Sequence, residues 1–284
     1  KELHHSLVFL RPLGLRLMLY GISLAFQNYT LTKANSDDFR TFAGLKNFIE
    51  IFKQSEYIQA CQNTLFWTLT NVIVQVVLAV LIALALNRKI KGRGFFRTTA
   101  LIPWAVPSVI AALTFRFLYD ANVGIINAVL KKLGILADGI SWLGNLETAR
   151  WAVVIESIWK GTPFVMIFVL AALQSVPHEM YESARVDGAG GVKTFFKITL
   201  PMIKETLGIA TILTTIGTIN NFNAVWLMTQ GGPLGSTEIM FTYAYRRAFS
   251  AHNFGQAAAI SVIMFIIIAL CTFVYTKLIG EEED

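Results

Sequence analysis

Charged residues, cysteines and histidines are scarce in this sequence. Only 15% of its 284 residues are charged, and it contains two cysteines and four histidines. Cys61 and Cys271 both fall within long apolar runs, which predicts buried thiols rather than a disulfide framework or a metal site. The histidines show no metal-ligand spacing, and they are His4, His5, His178 and His252. We therefore expect neither a catalytic site nor a bound metal.

The sequence also lacks a concentrated basic surface. Its net charge of +6 comes from 24 Lys and Arg against 18 Asp and Glu. These cations are spread over several segments and are not gathered in an arm or in a basic helix with aromatic residues. Nucleic acid is therefore not an expected partner.

Apolar residues are what the sequence has in abundance. They make up 55% of the chain, the mean hydropathy is +0.56, and the 21 phenylalanines exceed what a soluble core needs. A helix crosses the hydrocarbon core with about 20 apolar residues. The runs that reach this length are Leu7–Phe26, Ala60–Leu86, Phe95–Tyr119, Trp151–Leu173, Ile203–Met228 and Phe254–Ile279. They predict an all-α membrane protein with six transmembrane helices.

Basic residues concentrate in the loop between the second and third spans. This loop holds five cations and no acid, namely Arg88, Lys89, Lys91, Arg93 and Arg97. Cytoplasmic loops carry an excess of Lys and Arg, so the loop is predicted to be cytoplasmic. With six spans both termini are then cytoplasmic, residues 174–202 lie inside, and 120–150 and 229–253 lie outside.

The external segment 120–150 has a helical pattern of its own. This pattern runs from Ile125 to Leu133 and is followed by Gly134, Gly139 and Trp142. We expect the segment either to cover the pore or to touch an external partner.

A polar segment broken by glycines lies between the fourth and fifth spans. Pro177 suits the first turn of a helix, and Glu182 follows in its early part. The helix is interrupted by Gly188, Gly190 and Gly191. A second short turn, 192–198, is expected to stop before Pro201. The pattern predicts a helix–turn–helix hairpin on the membrane surface, with an ordinary amphipathic linker as the alternative.

The spacing of residues within this segment is specific. Its key positions are Glu182, Ser183 and Ala184, then Gly188 four residues after Ala184, then Ile198, Leu200 and Pro201. This spacing resembles the EAA motif of the permeases of binding-protein-dependent ABC importers, with Ser183 in place of the usual alanine. Other segments are similar to the carbohydrate branch of that family, the maltose type, and they are Pro103–Ser108, Trp159–Phe164, Gly231–Pro233 and Tyr243–Arg246.

The resemblance implies a six-helix permease fold in one transmembrane domain, 1–284, of a bacterial inner-membrane protein surrounded by lipid. It also implies three kinds of protein partner: a second permease subunit that forms a heterodimer, two cytoplasmic ATPase subunits, and an external solute-binding protein. The coupling hairpin would be 177–201, and its ATPase-coupling residues would be Glu182, Ser183, Ala184, Asp187 and Gly188. Glu182 would contact a basic residue of the ATPase, and the hairpin would transmit nucleotide-driven closure to the spans.

A nucleotide-binding P-loop is absent from the sequence. The segment nearest to one, 188–194, lacks a glycine directly before Lys193 and does not follow a predicted strand. ATP and its magnesium are therefore expected on a partner chain, and no cofactor is expected on this one.

Polar residues inside the fifth span are candidates for substrate contacts, because such residues usually face a cavity or a neighbouring helix. The span contains Thr211, Thr214, Thr215, Thr218, Asn220, Asn221 and Asn223. Thr214, Thr218 and Asn221 are spaced i, i+4 and i+7, which puts them on one face that suits sugar hydroxyls. Hydrogen bonding between helices is the competing interpretation.

The fourth span contributes Glu156 and Lys160, which are spaced for an ion pair on one helix. Gly161 and Pro163 are expected to open the local backbone and form a cavity wall. By resemblance to the maltose type, the sugar site comprises Lys160, Gly161, Phe164, Thr214, Thr218 and Asn221. Lys160 suits an acidic saccharide, such as a uronate oligomer, if Glu156 does not neutralise it.

Two other classes of protein remain as alternatives. A secondary transporter or channel needs coupling carboxylates or a filter, and Glu156 is the only acid well inside a span. A membrane-embedded enzyme needs a nucleophile with a base, or a metal cluster. Neither alternative explains the hairpin at 177–201.

Overall fold

The computed structural model describes residues 14–88 and 91–280. Within these ranges the chain is helical, and its extended backbone pairs only in isolated bridges. The helices are α1 (Gly14–Leu24), α2 (Lys46–Phe52), α3 (Ser55–Asn87), α4 (Arg93–Ala105), α5 (Ser108–Leu118), α6 (Ile125–Lys132), α7 (Leu146–Ser175), α8 (His178–Val186), α9 (Gly191–Thr194), α10 (Leu200–Ile219), α11 (Phe222–Thr229), α12 (Met240–Phe249) and α13 (Phe254–Gly280). The predicted all-α class is confirmed, and so is the helix predicted from Ile125.

Four stretches of the described chain are long and apolar enough to cross a membrane. They are Ser55–Asn87, Leu146–Ser175, Gly191–Thr229 and Phe254–Lys277. These stretches correspond to the predicted second, fourth, fifth and sixth spans. The predicted first span, Leu7–Phe26, begins outside the described residues, and the shorter apolar helix α1 covers part of the rest.

The predicted third span, Phe95–Tyr119, is not one continuous helix. It consists of α4 and α5, whose axes are bent by 91° at Val106 and Pro107. Val106 has extended backbone angles, because the ring of a proline disfavours the helical region for the residue before it. Pro107 precedes α5, so a new helix starts directly after the bend.

The predicted fifth span is also interrupted. Helix α10 ends at Ile219, and α11 starts at Phe222. The side chain of Asn221 accepts a hydrogen bond from the Ala224 backbone N–H at 3.4 Å, which is the N-cap interaction that starts a helix. Two of the apolar runs therefore contain a helix break.

Pro201 does not end the second part of the hairpin segment, which corrects the prediction. Helix α9, a π-helical turn (Phe195–Thr199) and α10 follow one another without a gap. Pro201 lies in the first turn of α10, and a proline inside a helix both lacks an N–H and crowds the carbonyl four residues earlier. The wider π turn directly before α10 accommodates this proline.

The described residues form two compact units, one within 1–64 and 238–270 and the other within 65–237 and 271–284. The first unit includes α12, where Arg246 forms an ion pair with the buried carboxylate of Glu238. Burial raises the pKa of Glu238 to about 7, although Arg246 acts in the opposite direction.

The core of the second unit lies where α3, α7 and α10 pack together. Its buried members include Ala79, Ala83, Val165, Val169, Ile203 and Ala210. Small side chains let helix backbones approach closely, which matters in a membrane because lipid supplies little hydrophobic drive for helix association.

Helix α8 ends in a Schellman motif, in which two backbone hydrogen bonds close the last turn. The Gly188 N–H donates to the Arg185 carbonyl at 3.0 Å, and the Ala189 N–H donates to the Ala184 carbonyl at 2.9 Å. Gly188 has the left-handed φ of +69° that this motif requires. The four-residue spacing from Ala184 to Gly188 is therefore the spacing of this helix end.

Replacing Gly188 with alanine should loosen the end of α8. A Cβ added there meets no atom within 4 Å, so the substitution costs free energy only through the left-handed backbone. That cost is about 1 kcal/mol, which corresponds to roughly fivefold more frequent local opening of the helix end. Gly190→Ala is the matched control, because its added Cβ is equally free and its φ is −69°. Hydrogen–deuterium exchange over 178–189 measures the difference, and equal exchange in the two variants would contradict this account.

Candidate substrate site and coupling helix

The two helix breaks lie next to each other in the second unit. The Asn223 side-chain amide, in the first turn of α11, donates to the Ser108 hydroxyl at 2.8 Å, in the first turn of α5. The two helices that restart after the breaks are thus joined at their N-terminal ends. We call this place the break junction.

One turn of α7 holds both sides of the break junction. The Lys160 ammonium donates to the Val106 carbonyl at 2.5 Å, at the bend between α4 and α5. The Asn221 side-chain amide donates to the Ser157 hydroxyl at 3.4 Å, at the start of α11. Ser157 and Lys160 are three residues apart and so lie on the same face of α7. Backbone opened at membrane depth is tolerated where it is buried in protein or lines a cavity.

Helix α7 itself is continuous through Gly161 and Pro163, which corrects the predicted opening of its backbone. The open backbone is supplied by the neighbouring spans, at Val106 and at Asn221. Gly161 instead permits close packing, because a Cβ added there would lie 2.3 Å from the side-chain oxygen of Gln75.

A buried polar network on α3 connects to the same turn of α7. The Gln75 amide donates to the Ser157 carbonyl at 3.2 Å and to the Asn71 side-chain oxygen at 3.3 Å. The Trp67 indole N–H donates to the Thr218 carbonyl at 3.0 Å. These α3 residues are not among the predicted site residues, although Trp67, Asn71 and Gln75 recur every fourth residue within an apolar run.

The threonines of α10 differ in what their hydroxyls contact. Those of Thr211 and Thr215 donate to carbonyls four residues earlier, at 2.7 and 2.8 Å. The buried hydroxyl of Thr214 has no hydrogen-bond partner among the described residues. Thr218 is also buried.

The predicted sugar-site residues fall into two groups. Thr218 and Asn221 are linked by hydrogen bonds to α3 and α7, Gly161 packs closely against Gln75 of α3, and Thr214 lies one turn before Thr218 on α10. Lys160 contacts the bend between α4 and α5, and the Phe164 ring packs against Trp104 of α4 with centroids 6.5 Å apart.

The predicted ion pair between Glu156 and Lys160 is not formed within 4 Å among the described residues. Glu156 is only 1% exposed, and its Oε2 atom finds no hydrogen-bond partner there. The Lys160 ammonium therefore has a backbone carbonyl, and not a carboxylate, as its direct contact.

The predicted coupling residues Glu182, Ser183 and Ala184 lie on α8, which begins after Pro177, and Asp187 and Gly188 lie at its C-terminal end. Glu182 is exposed, and its carboxylate accepts a hydrogen bond from Nδ1 of the His178 ring at 3.1 Å. Ala184 is buried, and the Tyr181 hydroxyl accepts a hydrogen bond from Thr199 at 3.3 Å. Helix α8 thus has an inner face fixed to the unit and an outer face that presents Glu182.

Titratable side chains do not gather into a metal site in the described ranges, where no group of three His, Cys, Asp or Glu residues is suitably placed.

Comparison with known proteins identifies the family. The model of the family described as "Binding-protein-dependent transport system inner membrane component" matches residues 75–280. The trehalose/maltose transport system permease protein MalF of Thermococcus litoralis is 36% identical over 245 residues, covering 86% of this chain and 82% of that protein. The sulfoquinovosyl glycerol transport system permease protein SmoG of Agrobacterium fabrum is 34% identical, covering 85% and 78%.

Solved structures share the fold. A bacterial ABC transporter involved in the import of the acidic polysaccharide alginate has a chain that matches with a TM-score of 0.77 at 22% identity, covering 97% of this chain and 95% of that one. The same kind of transporter in complex with an alginate-bound periplasmic protein matches with a TM-score of 0.76. The chain therefore belongs to the family of binding-protein-dependent transport system inner membrane components, and it is a permease subunit of an ABC importer.

Proposed function

We propose that this permease carries a sugar or oligosaccharide across the membrane and that the sugar contacts the break junction. The proposal rests on two hydrogen bonds that attach one turn of α7 to the two broken spans. Lys160 of that turn donates to the Val106 carbonyl, and its Ser157 hydroxyl accepts from Asn221. Discontinuous helices at mid-membrane are typical of transporter binding sites, because they expose backbone groups to a substrate. Relatives named for trehalose/maltose and for galactooligosaccharides support a sugar as the substrate.

The substrate we favour within this class is an acidic saccharide. Lys160 has no carboxylate within ion-pair distance in the described chain, so its charge is available to an anionic group. The helices α5 and α11 both begin at the junction, and helix N-terminal ends favour negative charge. The relative named for sulfoquinovosyl glycerol transport agrees with this choice.

The proposed assembly contains a second permease subunit, two ATPase subunits and an external solute-binding protein. We place α8 and both termini on the cytoplasmic side, where Glu182 docks in the ATPase and Ala184, Asp187 and Gly188 hold the helix end. ATP and magnesium bind to the ATPase subunits, and their closure moves α8 as a rigid body.

Glu182→Ala should uncouple the ATPase from this subunit. A charged contact at the centre of an interface contributes enough that its loss weakens binding about tenfold. The measurement is the ratio of ATPase to permease after purification from the native membrane in mild detergent. Glu179→Ala is the matched control, because Glu179 lies on the same helix and is also exposed. Equal recovery of ATPase with both variants would contradict the role of Glu182.

Thr214→Val should impair transport without impairing folding. Valine keeps the shape of threonine, and removing a buried hydroxyl that has no partner does not destabilise the fold. The loss of its hydrogen bond to the sugar would raise KM about fivefold. The measurement is ATP-driven saccharide uptake into proteoliposomes, with thermal unfolding of the same sample. Thr211→Val is the control, since the Thr211 hydroxyl is bonded within its own helix. An unchanged KM for Thr214→Val would remove Thr214 from the site.

A further inference from the structure

We propose that the permease has a second saccharide site, an outer pocket at the N-terminal end of α7, which holds the sugar before it reaches the break junction. The pocket has a volume of about 520 Å³, and its walls include Phe66, Tyr119, Trp142, Glu147, Arg150 and Trp151. This volume lies within the range of small-molecule sites. The inference rests on the proposed sugar transport.

The aromatic walls of the outer pocket are fixed by mutual packing. Phe66 and Trp151 meet edge to face, with centroids 5.4 Å apart and planes at 81°. Tyr119 and Trp142 have centroids 5.9 Å apart. Trp151 is 51% exposed, so half of its surface remains available to a ligand. Large aromatic side chains with free surface are suitable platforms for the apolar faces of sugar rings.

The position of Trp142 is set by a buried asparagine in the external segment. The side-chain oxygen of Asn127 accepts hydrogen bonds from the Trp142 indole N–H at 2.8 Å and from the Ile140 backbone N–H at 3.2 Å. Its amide donates to the carbonyls of Ala121 and Ile140 at 3.1 and 2.9 Å. Asn127 is 3% exposed. The pocket wall is therefore formed before a ligand arrives, which lowers the entropic cost of binding.

Charged and polar groups distinguish this pocket from a lipid groove. Glu147 and Arg150 both line it, together with Thr148, whose hydroxyl donates to the Trp142 carbonyl at 2.7 Å. The Arg150 guanidinium lies 5.3 Å from the Phe66 ring centroid. A lipid acyl chain gains nothing from a carboxylate and a guanidinium in the wall, whereas sugar hydroxyls bond with both.

The pocket and the break junction lie along the same helix. α7 has 30 residues and is about 45 Å long, and Trp151 lies roughly 9 Å from Ser157 along its axis. Trp151, Ile155 and Trp159 recur every fourth residue on one exposed face between the pocket and Lys160. α8 follows the opposite end of α7, so the pocket faces outward if α8 is cytoplasmic. Ser157 is buried and lies away from this exposed face, so the pocket and the break junction are separated both along α7 and around it.

The experiment uses the complete importer, isolated from its native membrane and reconstituted in vesicles with its binding protein. Uptake of maltotriose, raffinose, xylotriose and trigalacturonate is measured first, and the best-transported saccharide becomes the probe. Hydroxyl-radical footprinting of the same importer without binding protein, read residue by residue by mass spectrometry, then reports which aromatic side chains the probe protects. Glycerol at equal hydroxyl concentration is the solute control.

We expect the probe to protect Trp142 and Trp151, while Phe117, an exposed aromatic on α5 outside the pocket, is oxidised at an unchanged rate. Trp151→Ala should raise the probe concentration that half-protects Trp142 about tenfold, because a stacking surface is removed. Trp151→Phe should largely restore it. Phe117→Ala should leave it unchanged.

Three outcomes would overturn the inference. Protection that is absent at Trp142 and Trp151, in an importer that transports the probe, contradicts the outer pocket and leaves the proposed function intact. In a parallel footprint with binding protein and no saccharide, protection of Trp142 and Trp151 that the saccharide alone does not give identifies the pocket as a protein contact. Failure of all four saccharides to be transported contradicts the proposed function, and the outer pocket with it.

Discussion

A backbone group that is freed inside a membrane must be satisfied by the protein, and this constraint determines the centre of the second unit. Two spans break, at Val106 and at Asn221. Lys160 donates to the first break, and Ser157 accepts from the second. Since both residues belong to one turn of α7, that turn cannot shift without losing hydrogen bonds to the two broken spans. A sugar that binds there competes for groups that already hold the helices in place.

The same helix connects this centre to α8, the proposed coupling helix. α7 ends at Ser175, and α8 begins two residues after Val176. The buried Ala184 and the hydrogen bond between Tyr181 and Thr199 fix α8 against the second unit. Tyr181 also packs against the core that α7 and α10 form. This attachment suits the proposed rigid-body coupling to an ATPase on another chain.

Local features were predictable from the sequence, and contacts between helices were not. The start of α8 and the role of Gly188 follow from neighbouring residues, because a Schellman motif has a fixed spacing. The prediction that Pro201 stops a helix is wrong, since a π turn accommodates it.

Asn221 was predicted as a sugar ligand, but its role in starting α11 depends on a break that hydropathy does not reveal. Gln75 was missed because its partners lie on α7, although its four-residue spacing from Asn71 was a usable signal. The family match excludes the two alternatives, a channel and a secondary transporter.

The most direct measurement is an electron cryomicroscopy structure of the assembled importer trapped with its binding protein, a non-hydrolysable ATP analogue and its transported saccharide. We predict saccharide density at the break junction, within hydrogen-bond distance of Lys160 and Thr214, with α8 seated in the ATPase. Density confined to the other permease subunit, with the bonds from Lys160 to Val106 and from Asn221 to Ser157 undisturbed and no sugar beside them, would contradict it.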